Sequence, residues 1–293
     1  MIRRITIRFL AWGAMSLTLS ALGYAQQEEQ RWSVYESFQG SSNAAGQVMK
    51  LDSNVAYSVN THFDVGGGVP LYLVNGSSSS TGTSSFMNGI GNAYVDLRLK
   101  EDGAATFSST VRAAAPTGDK DKGFSTGRVT VDWNNYVAVP RPHIMPFGSV
   151  GIANTVSDTT FFSRPFTSLG LVGHMEGGVS VPIVQSFSIG GSVYDILPSG
   201  QQTIISKLIK RQSSTSLPSP PNSNSKHGVF ETSAETVGSS DLARDHGFST
   251  WMQLKKGSDV NFQLGYNRSA VYQLNSVFFS IGFNIAGLVK DRP

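Results

Sequence analysis

The sequence predicts an all-β protein, an antiparallel transmembrane β-barrel of about 12 strands with short periplasmic turns and long external loops. Three observations predict it. Many segments alternate apolar and polar side chains over roughly ten residues, the length that a tilted strand needs to cross a bilayer. Tight and long connections alternate along the chain, and an aromatic residue recurs at the start of every second segment.

The first 25 residues have the pattern of a targeting segment and are not expected to form part of the barrel. Arg3, Arg4 and Arg8 precede an apolar stretch from 9 to 22 that ends at Gly23-Tyr24-Ala25. This pattern predicts a secretory signal peptide over 1–25 and leaves 26–293 as the barrel domain. The expected location is the outer membrane, and the expected partners are its lipid bilayer and the barrel-assembly machinery.

Charge and cysteine content exclude several classes of function. The chain has 23 basic and 20 acidic residues, so removing the three signal-peptide arginines leaves 20 of each. A neutral exported protein is not expected to bind nucleic acid. With no cysteine, the chain can form neither disulfides nor thiolate metal sites.

Period-two alternation divides the rest of the chain into strands. The last two are the clearest, because Val260, Phe262, Leu264 and Tyr266 alternate with polar residues or glycine, as do apolar residues between 277 and 285. The predicted strands span 32–40, 47–59, 63–74, 89–100, 105–115, 128–139, 144–154, 169–181, 187–197, 248–256, 260–269 and 276–286.

The connections indicate a topology. The tight ones are 60–62, 101–104, 140–143, 182–186 and 257–259, and the long ones include 75–88, 116–127, 155–168 and 198–247. Outer-membrane barrels show this asymmetry, with short turns in the periplasm and long loops outside. An exported β-sandwich or propeller, the competing fold, has no reason to place its tight turns at one end. Both termini are therefore expected in the periplasm.

The recurring aromatic residues are then expected at the periplasmic ends of upward strands. A lipid-facing aromatic girdle belongs at that level of a barrel. Among these residues Phe147 has the least secure orientation, because its strand alternates poorly. The predicted girdle comprises Trp32, Phe63, Phe107, Phe147, Phe187 and Phe262.

One turn carries a family resemblance. Ala115-Pro116-Thr117-Gly118-Asp119 closes one strand, and Ser125-Thr126-Gly127 with Asp132 opens the next. In this motif the chain resembles the outer-membrane family described as the MetA-pathway of phenol degradation, which is grouped with FadL-like barrels. The resemblance implies passage of hydrophobic compounds rather than catalysis.

The chain departs from that group in two respects. Only residues 26–31 separate the expected cleavage site from the first strand, which leaves no room for the amino-terminal plug of long-chain fatty-acid transporters. The chain also continues from Ala286 to Pro293 instead of stopping at a terminal aromatic residue. The first departure weakens the case for a fatty-acid path.

Charged side chains on the polar faces of the strands are the candidate lumen residues. Both signs occur in similar number, which argues against a strongly ion-selective pore. They form either internal salt bridges that fill a narrow barrel or a path that contacts the substrate. The set is Asp64, Asp96, Arg98, Lys100, Arg112, Asp132, His174, Glu176 and Lys255.

Two motifs within these regions suggest chemistry, and both have a simpler interpretation. His174 and Glu176 share one face of a strand, which could suit metal ligation or acid–base catalysis. The outer-membrane phospholipase has its nucleophilic serine two residues beyond its histidine, and here that position is Glu176. Asp119-Lys120-Asp121-Lys122-Gly123 lacks the later ligands of a calcium loop. No catalytic residue, metal or cofactor is expected.

The connection over 198–247 is unusually long, and loops of this length are functional or disordered. Ile204, Ile205, Leu208 and Ile209 form an apolar stretch within it. One hypothesis is that this stretch folds over the barrel mouth as a constriction. A disordered surface loop is the alternative.

Together these features predict a passive outer-membrane channel or uptake pore for small molecules, hydrophobic or aromatic ones among them. The alternative is a closed structural or ligand-binding barrel without transport. An enzyme is not expected.

Overall fold

The computed structural model describes most of the predicted barrel domain. The described residues are 32–43, 46–76, 86–120, 124–156, 168–204, 236–238, 244–256, 260–271 and 274–284. The predicted signal peptide lies outside them. The strands are β1 (Trp32–Asn43), β2 (Gly46–Ser58), β3 (Phe63–Gly76), β4 (Phe86–Ile90), β5 (Tyr94–Asp102), β6 (Thr106–Ala114), β7 (Thr130–Ala138), β8 (Met145–Ala153), β9 (Ser168–Val184), β10 (Phe187–Ile204), β11 (Thr236–Gly238), β12 (Asp245–Lys256), β13 (Val260–Ser269) and β14 (Leu274–Asn284).

These strands close into one antiparallel barrel. Consecutive strands pair with each other, except that β4 does not pair with β5 nor β11 with β12, and β1 pairs with β14 to join the two edges. β4 and β5 lie end to end beside β3, while β11 and β12 lie end to end beside β10. The 14 segments therefore form a closed barrel of 12 strands, which confirms the predicted fold class.

The predicted strands agree with the observed ones to within three residues at each end, except in two regions. The predicted strand over 89–100 is interrupted at residues 91–93, between β4 and β5. β9 and β10 form a taller hairpin than expected, because β10 continues to Ile204 through an irregularity between Ser199 and Thr203. Within the described residues no helix is long and apolar enough to span a membrane.

The two faces of the barrel wall differ in polarity. Residues paired across strands share a face, so Val65, Leu97, Val111, Trp133 and Ile152 form one continuous row. Leu97, Trp133 and Ile152 are 44%, 48% and 46% exposed. Large apolar side chains exposed all along the outside indicate a surface made for lipid. The intervening residues face the lumen.

The strands are tilted relative to the barrel axis, and the pairing register shows the direction of the tilt. One in-register row starts at the periplasmic end of β3 and ends at the external end of β12. Each row therefore climbs towards the external side as it passes from β3 to β12, as expected of tilted barrel strands. The row consists of Phe63, Leu99, Ser109, Asn135, Val150, Met175, Asp195 and His246.

Five residues of the predicted girdle lie at the periplasmic ends of their strands with their side chains on the outer face. They are Trp32, Phe63, Phe107, Phe187 and Phe262. Tyr57, which the prediction omitted, lies beside Trp32 with 4.8 Å between ring centroids. Their role as an interfacial anchor stays a prediction.

The prediction that Phe147 belongs to this girdle is wrong, because its side chain faces the lumen. It is in register with Ala138, which is 3% exposed, and with Gly178. Its ring lies 6.0 Å from the rings of both Tyr136 and Trp251. The outward positions of β8 are Pro146, Gly148, Val150 and Ile152. The pattern misleads because a glycine and a proline occupy outward positions while an aromatic residue faces inward.

The connections agree in part with the predicted asymmetry. Periplasmic connections span 59–62, 103–105, 139–144, 185–186 and 257–259, whereas external ones include 77–85, 115–129, 154–167 and 205–235. Two external connections, 44–45 and 270–273, are also short. The predicted loop over 198–247 shrinks because both of its ends belong to strands. Ile205, Leu208 and Ile209, the stretch proposed as a constriction, lie outside the described residues.

Candidate functional site: the barrel lumen

Charges line one side of the lumen, on β2, β3, β5 and β6. Alternate residues of these strands face inward, so the charges gather on adjacent strands. We call this surface the charged wall, and its members are Lys50, Asp52, Asp64, Asp96, Arg98, Lys100 and Arg112. The first two were not among the predicted lumen residues, although Lys50, Asp52 and Asn54 alternate within a predicted strand.

Arg112 and Asp96 form a bidentate pair on this wall. The guanidinium Nε and Nη2 donate to Asp96 Oδ1 and Oδ2, each at 2.7 Å. The Asp96 side chain is 8% exposed and that of Arg112 is 44% exposed. The guanidinium carbon also lies 3.9 Å from the centre of the Tyr94 ring. The fork geometry and the aromatic face together hold the arginine flat against the wall.

Tyr94 connects this pair to β2. Its hydroxyl donates to Asp52 Oδ1 at 2.9 Å and accepts from Asn54 Nδ2 at 3.3 Å. The ring spans Gly68 on β3, where a side chain would collide with the tyrosine hydroxyl. The result is a polar network across four strands that local sequence cannot reveal.

Asp64 and Lys100 form a second pair nearer the periplasmic end. Lys100 Nζ lies 3.0 Å from the Asp64 carboxylate, which also accepts from Ser58 Oγ at 2.7 Å. Arg98 is in register with Asp64 and is exposed. Three predicted lumen residues therefore meet here, and Arg98 presents an exposed cation on the lumen face.

The predicted His174 and Glu176 lie on the lumen face of β9, as alternation requires. His174 Nε2 lies 2.9 Å from Asp132 Oδ1 on β7, above Gly151 on β8, where a side chain would meet the imidazole. Glu176 is in register with Ser149 and Tyr194. In the described part of the chain no serine hydroxyl is hydrogen-bonded to the imidazole. The His174–Asp132 pair therefore links β9 to β7 across β8.

The other side of the lumen is built from small neutral polar side chains on β10, β12, β13, β14 and β1. We call it the neutral wall. Asn267 Nδ2 donates to Ser249 Oγ at 2.8 Å, and Gln253 Nε2 donates to Asn261 Oδ1 at 2.9 Å. Its polar members are Ser188, Ser192, Ser249, Gln253, Asn261, Gln263, Asn267, Ser276, Ser280, Ser37, Gln39 and Ser41.

The neutral wall is bounded by one charge at each end. At the external end Asp245 is 1% exposed and accepts from Tyr194 Oη at 3.1 Å and Ser269 Oγ at 2.5 Å. At the periplasmic end the predicted lumen residue Lys255 is exposed. The wall therefore presents one accessible cation among neutral groups.

Aromatic rings fill the neutral wall by covering glycines. Trp251 and Phe278 are 7% and 2% exposed and pack together with Phe147. A side chain at Gly190 would collide with Trp251, and one at Gly265 would collide with Phe278. The rings therefore occupy space that a side chain at either glycine would take.

The described parts of the connection between β6 and β7, residues 115–120 and 124–129, enter the external half of the lumen, and the first of them is the turn that carries the family resemblance. Thr117 Oγ1 accepts from the Ala93 amide at 2.8 Å and donates to the Gly91 carbonyl at 3.2 Å. The Gly118 amide donates to Asn92 Oδ1 at 3.3 Å. The turn thus docks on the backbone groups freed by the interruption between β4 and β5.

Phe124 anchors the far end of this loop. Its ring stacks on Tyr72 with 5.8 Å between centroids and packs against Val48 and Val74. Ser125 and Thr126, which follow it, are 1% and 2% exposed. Among the described residues, this segment therefore lies inside the external mouth. The stretch over 204–209 that the sequence predicts as a constriction has only Ile204 among the described residues, so that hypothesis stays a prediction.

Comparison with known proteins bears on the fold. No protein-family model and no curated protein sequence matches the chain. Among solved structures, the barrel is similar to an outer membrane channel from Pseudomonas putida F1, with a TM-score of 0.56 and 9% identity over 89% of this chain and 98% of that one.

Two other solved structures have lower scores. The NanC porin has a TM-score of 0.45 and 8% identity over 85% of this chain and 100% of that one. The translocator domain of the autotransporter NalP from Neisseria meningitidis has 0.38 and 10% over 96% and 97%. The first similarity and the closed strand order together show that this chain has the fold of an outer-membrane β-barrel.

Proposed function

We propose that this chain is an outer-membrane channel that admits small molecules by passive diffusion. The observation that carries the proposal is the lumen itself, which has polar groups over its whole height inside a closed barrel with an apolar exterior. Such a lumen conducts solutes if it stays open and needs neither cofactor nor chemical step. The signal-like amino terminus supports export to the outer membrane.

The permeant class follows from the two walls. Charges on the charged wall are largely paired with each other, so they produce only a small net electric field in the lumen. The neutral wall offers hydroxyl and amide groups. The half-buried rings of Tyr136 and Phe147 add an aromatic surface between the walls. This combination suits small uncharged molecules, including aromatic ones, better than ions. The resemblance at 115–119 points to the same class.

A closed barrel is the second candidate function, and one observation favours it. Phe124 packs against Val48 of β2 and Val74 of β3, and the adjacent Ser125 and Thr126 are buried. If they seal the lumen, the external loops rather than a pore would carry the function.

Planar-bilayer conductance and liposome swelling with the purified barrel test the proposal. An open channel gives discrete conductance steps and swelling with small neutral sugars or aromatic alcohols that is faster than with salts of similar size. If the planar bilayer shows no conductance and the liposomes do not swell, while heat-modifiable migration on a gel shows that the barrel is folded, the closed barrel would be supported instead.

A further inference from the structure

A groove of about 600 Å³ crosses β6 to β10 on the outer surface of the barrel. Its floor is the backbone of a lumen-facing row that includes Ser149 and Glu176. The groove therefore lies in the lipid-facing band. Its walls are two neighbouring outward rows, Phe107, Val137, Gly148, Gly177 and Val193 on one side and Asn135, Val150, Met175 and Asp195 on the other.

Nothing inside the chain requires the two glycines of this groove. A Cβ added at Gly177 would meet no atom within 4 Å, and one added at Gly148 would meet only the Glu176 carbonyl oxygen, at 3.6 Å. The adjacent Gly178 faces the lumen, where a side chain would collide with Phe147. The outward glycines thus leave a notch that only a molecule outside the barrel can use.

Asn135 places a polar group in the same groove. It lies on the outer face near the middle of β7, in register with Ser109, whose hydroxyl accepts from Trp133 Nε1 at 2.9 Å. The Asn135 side chain has no hydrogen-bond partner among the residues that the structure describes. Acyl chains offer neither donors nor acceptors, so lipid leaves this amide unsatisfied at a cost of a few kcal/mol. A protein surface can satisfy it.

We propose that this groove is the interface with a second copy of the chain. Val150 is 57% exposed and stands beside the notch. It is in register with Met175, and Gly177 is two residues nearer the periplasm on the same strand. Because each row climbs from β3 towards β12, Val150 and Gly177 lie at about the same depth.

This arrangement is self-complementary. Two barrels inserted in the same direction are related by a two-fold axis along the membrane normal, which preserves depth. With the axis between β8 and β9, Val150 of each copy enters the Gly177 notch of the other. The two grooves then exclude lipid from both Asn135 amides. Small residues at the contact with a polar residue beside it follow the general logic of packing within membranes.

Single cysteines test the interface, because the chain has none of its own. Val150→Cys and Val95→Cys form a matched pair, since the two valines face outward and are 57% and 53% exposed. Val95 lies on β5, outside the groove. In native outer membranes, a short thiol-to-thiol crosslinker should yield a dimer from Val150→Cys and at least about fivefold less from Val95→Cys. Adding Gly177→Leu to Val150→Cys should remove most of that dimer.

Three results would overturn the proposal. Equal dimer yields from both cysteines would mean random collision. No dimer from either, while a membrane-permeant maleimide labels both, would leave acyl chains as the occupant. Gly177→Leu with a normally folded barrel and an unchanged dimer yield would show that the notch is not at the contact.

Discussion

The charged wall and the neutral wall fill the same lumen in different ways. On the charged wall, long side chains of opposite sign lie on adjacent strands and pair across them, as Arg112 does with Asp96. On the neutral wall, short side chains leave room for rings that cover glycines, as Phe278 does at Gly265. The first solution depends on electrostatic partners and the second on the absence of a Cβ. Each wall should therefore fail under a different kind of substitution.

The largest expected effect is steric and falls on the neutral wall. Gly265→Val would force its side chain into the Phe278 ring and the Thr250 carbonyl, so we expect a loss of about 3 kcal/mol in the free energy of unfolding. Urea unfolding in lipid vesicles measures it. Gly173→Val, on the outer face, where an added Cβ would come no closer than 3.8 Å to any atom beyond its chain neighbours, is the control and should change the free energy of unfolding by less than about 0.5 kcal/mol. Equal losses would contradict the aromatic-on-glycine account.

On the charged wall the expected loss is electrostatic. Arg112→Met leaves the Asp96 carboxylate, 8% exposed, without its partner. Because Arg112 itself is 44% exposed, we expect the free energy of unfolding to fall by about 2 kcal/mol, which is less than the cost of breaking a fully buried pair. The control is Arg98→Met. Because the Arg98 guanidinium is exposed, this variant should change the free energy of unfolding by less than about 0.5 kcal/mol. A similar loss in both variants would show that general charge, not the pair, matters.

The connection between β6 and β7, which Phe124 anchors inside the external mouth, provides a test of transport. Phe124→Ala removes the ring that packs against Val48 and Val74, so the loop should withdraw from the external mouth. Single-channel conductance should rise about twofold. Phe248→Ala, an outer-face substitution, is the control and should leave conductance unchanged. Unaltered conductance in both variants would place the constriction elsewhere.

The smallest effect expected is on ion selectivity, and it separates the walls directly. Lys255→Glu reverses the accessible cation of the neutral wall, whereas Arg98→Glu acts beside Asp64 and Lys100, which can rearrange around it. Reversal potentials should shift towards cation preference by about twofold in permeability for Lys255→Glu and by less for Arg98→Glu. A larger shift from Arg98→Glu would mean that the charged wall is not self-compensated.

The lumen shows how far sequence reasoning reaches. Alternation places Asp64, Asp96 and Arg112 on one face because side-chain direction has a period of two and needs no knowledge of neighbours. It fails at Phe147, where glycine and proline at the outward positions of β8 remove the apolar signal. Alternation also places Lys50 and Asp52 on the lumen face, although the predicted set left them out, but it cannot show that Asp52 accepts a hydrogen bond from Tyr94 of a distant strand.

The sequence by itself determined the number of barrel strands, nearly all of their bounds and the face of most side chains, because these depend on local alternation and on connection length. Only the tertiary structure decided which charges pair, which rings cover which glycines, which loop enters the mouth and where the outer groove lies. These depend on register between strands that are remote in the chain, and register is set by the closure and tilt of the whole barrel.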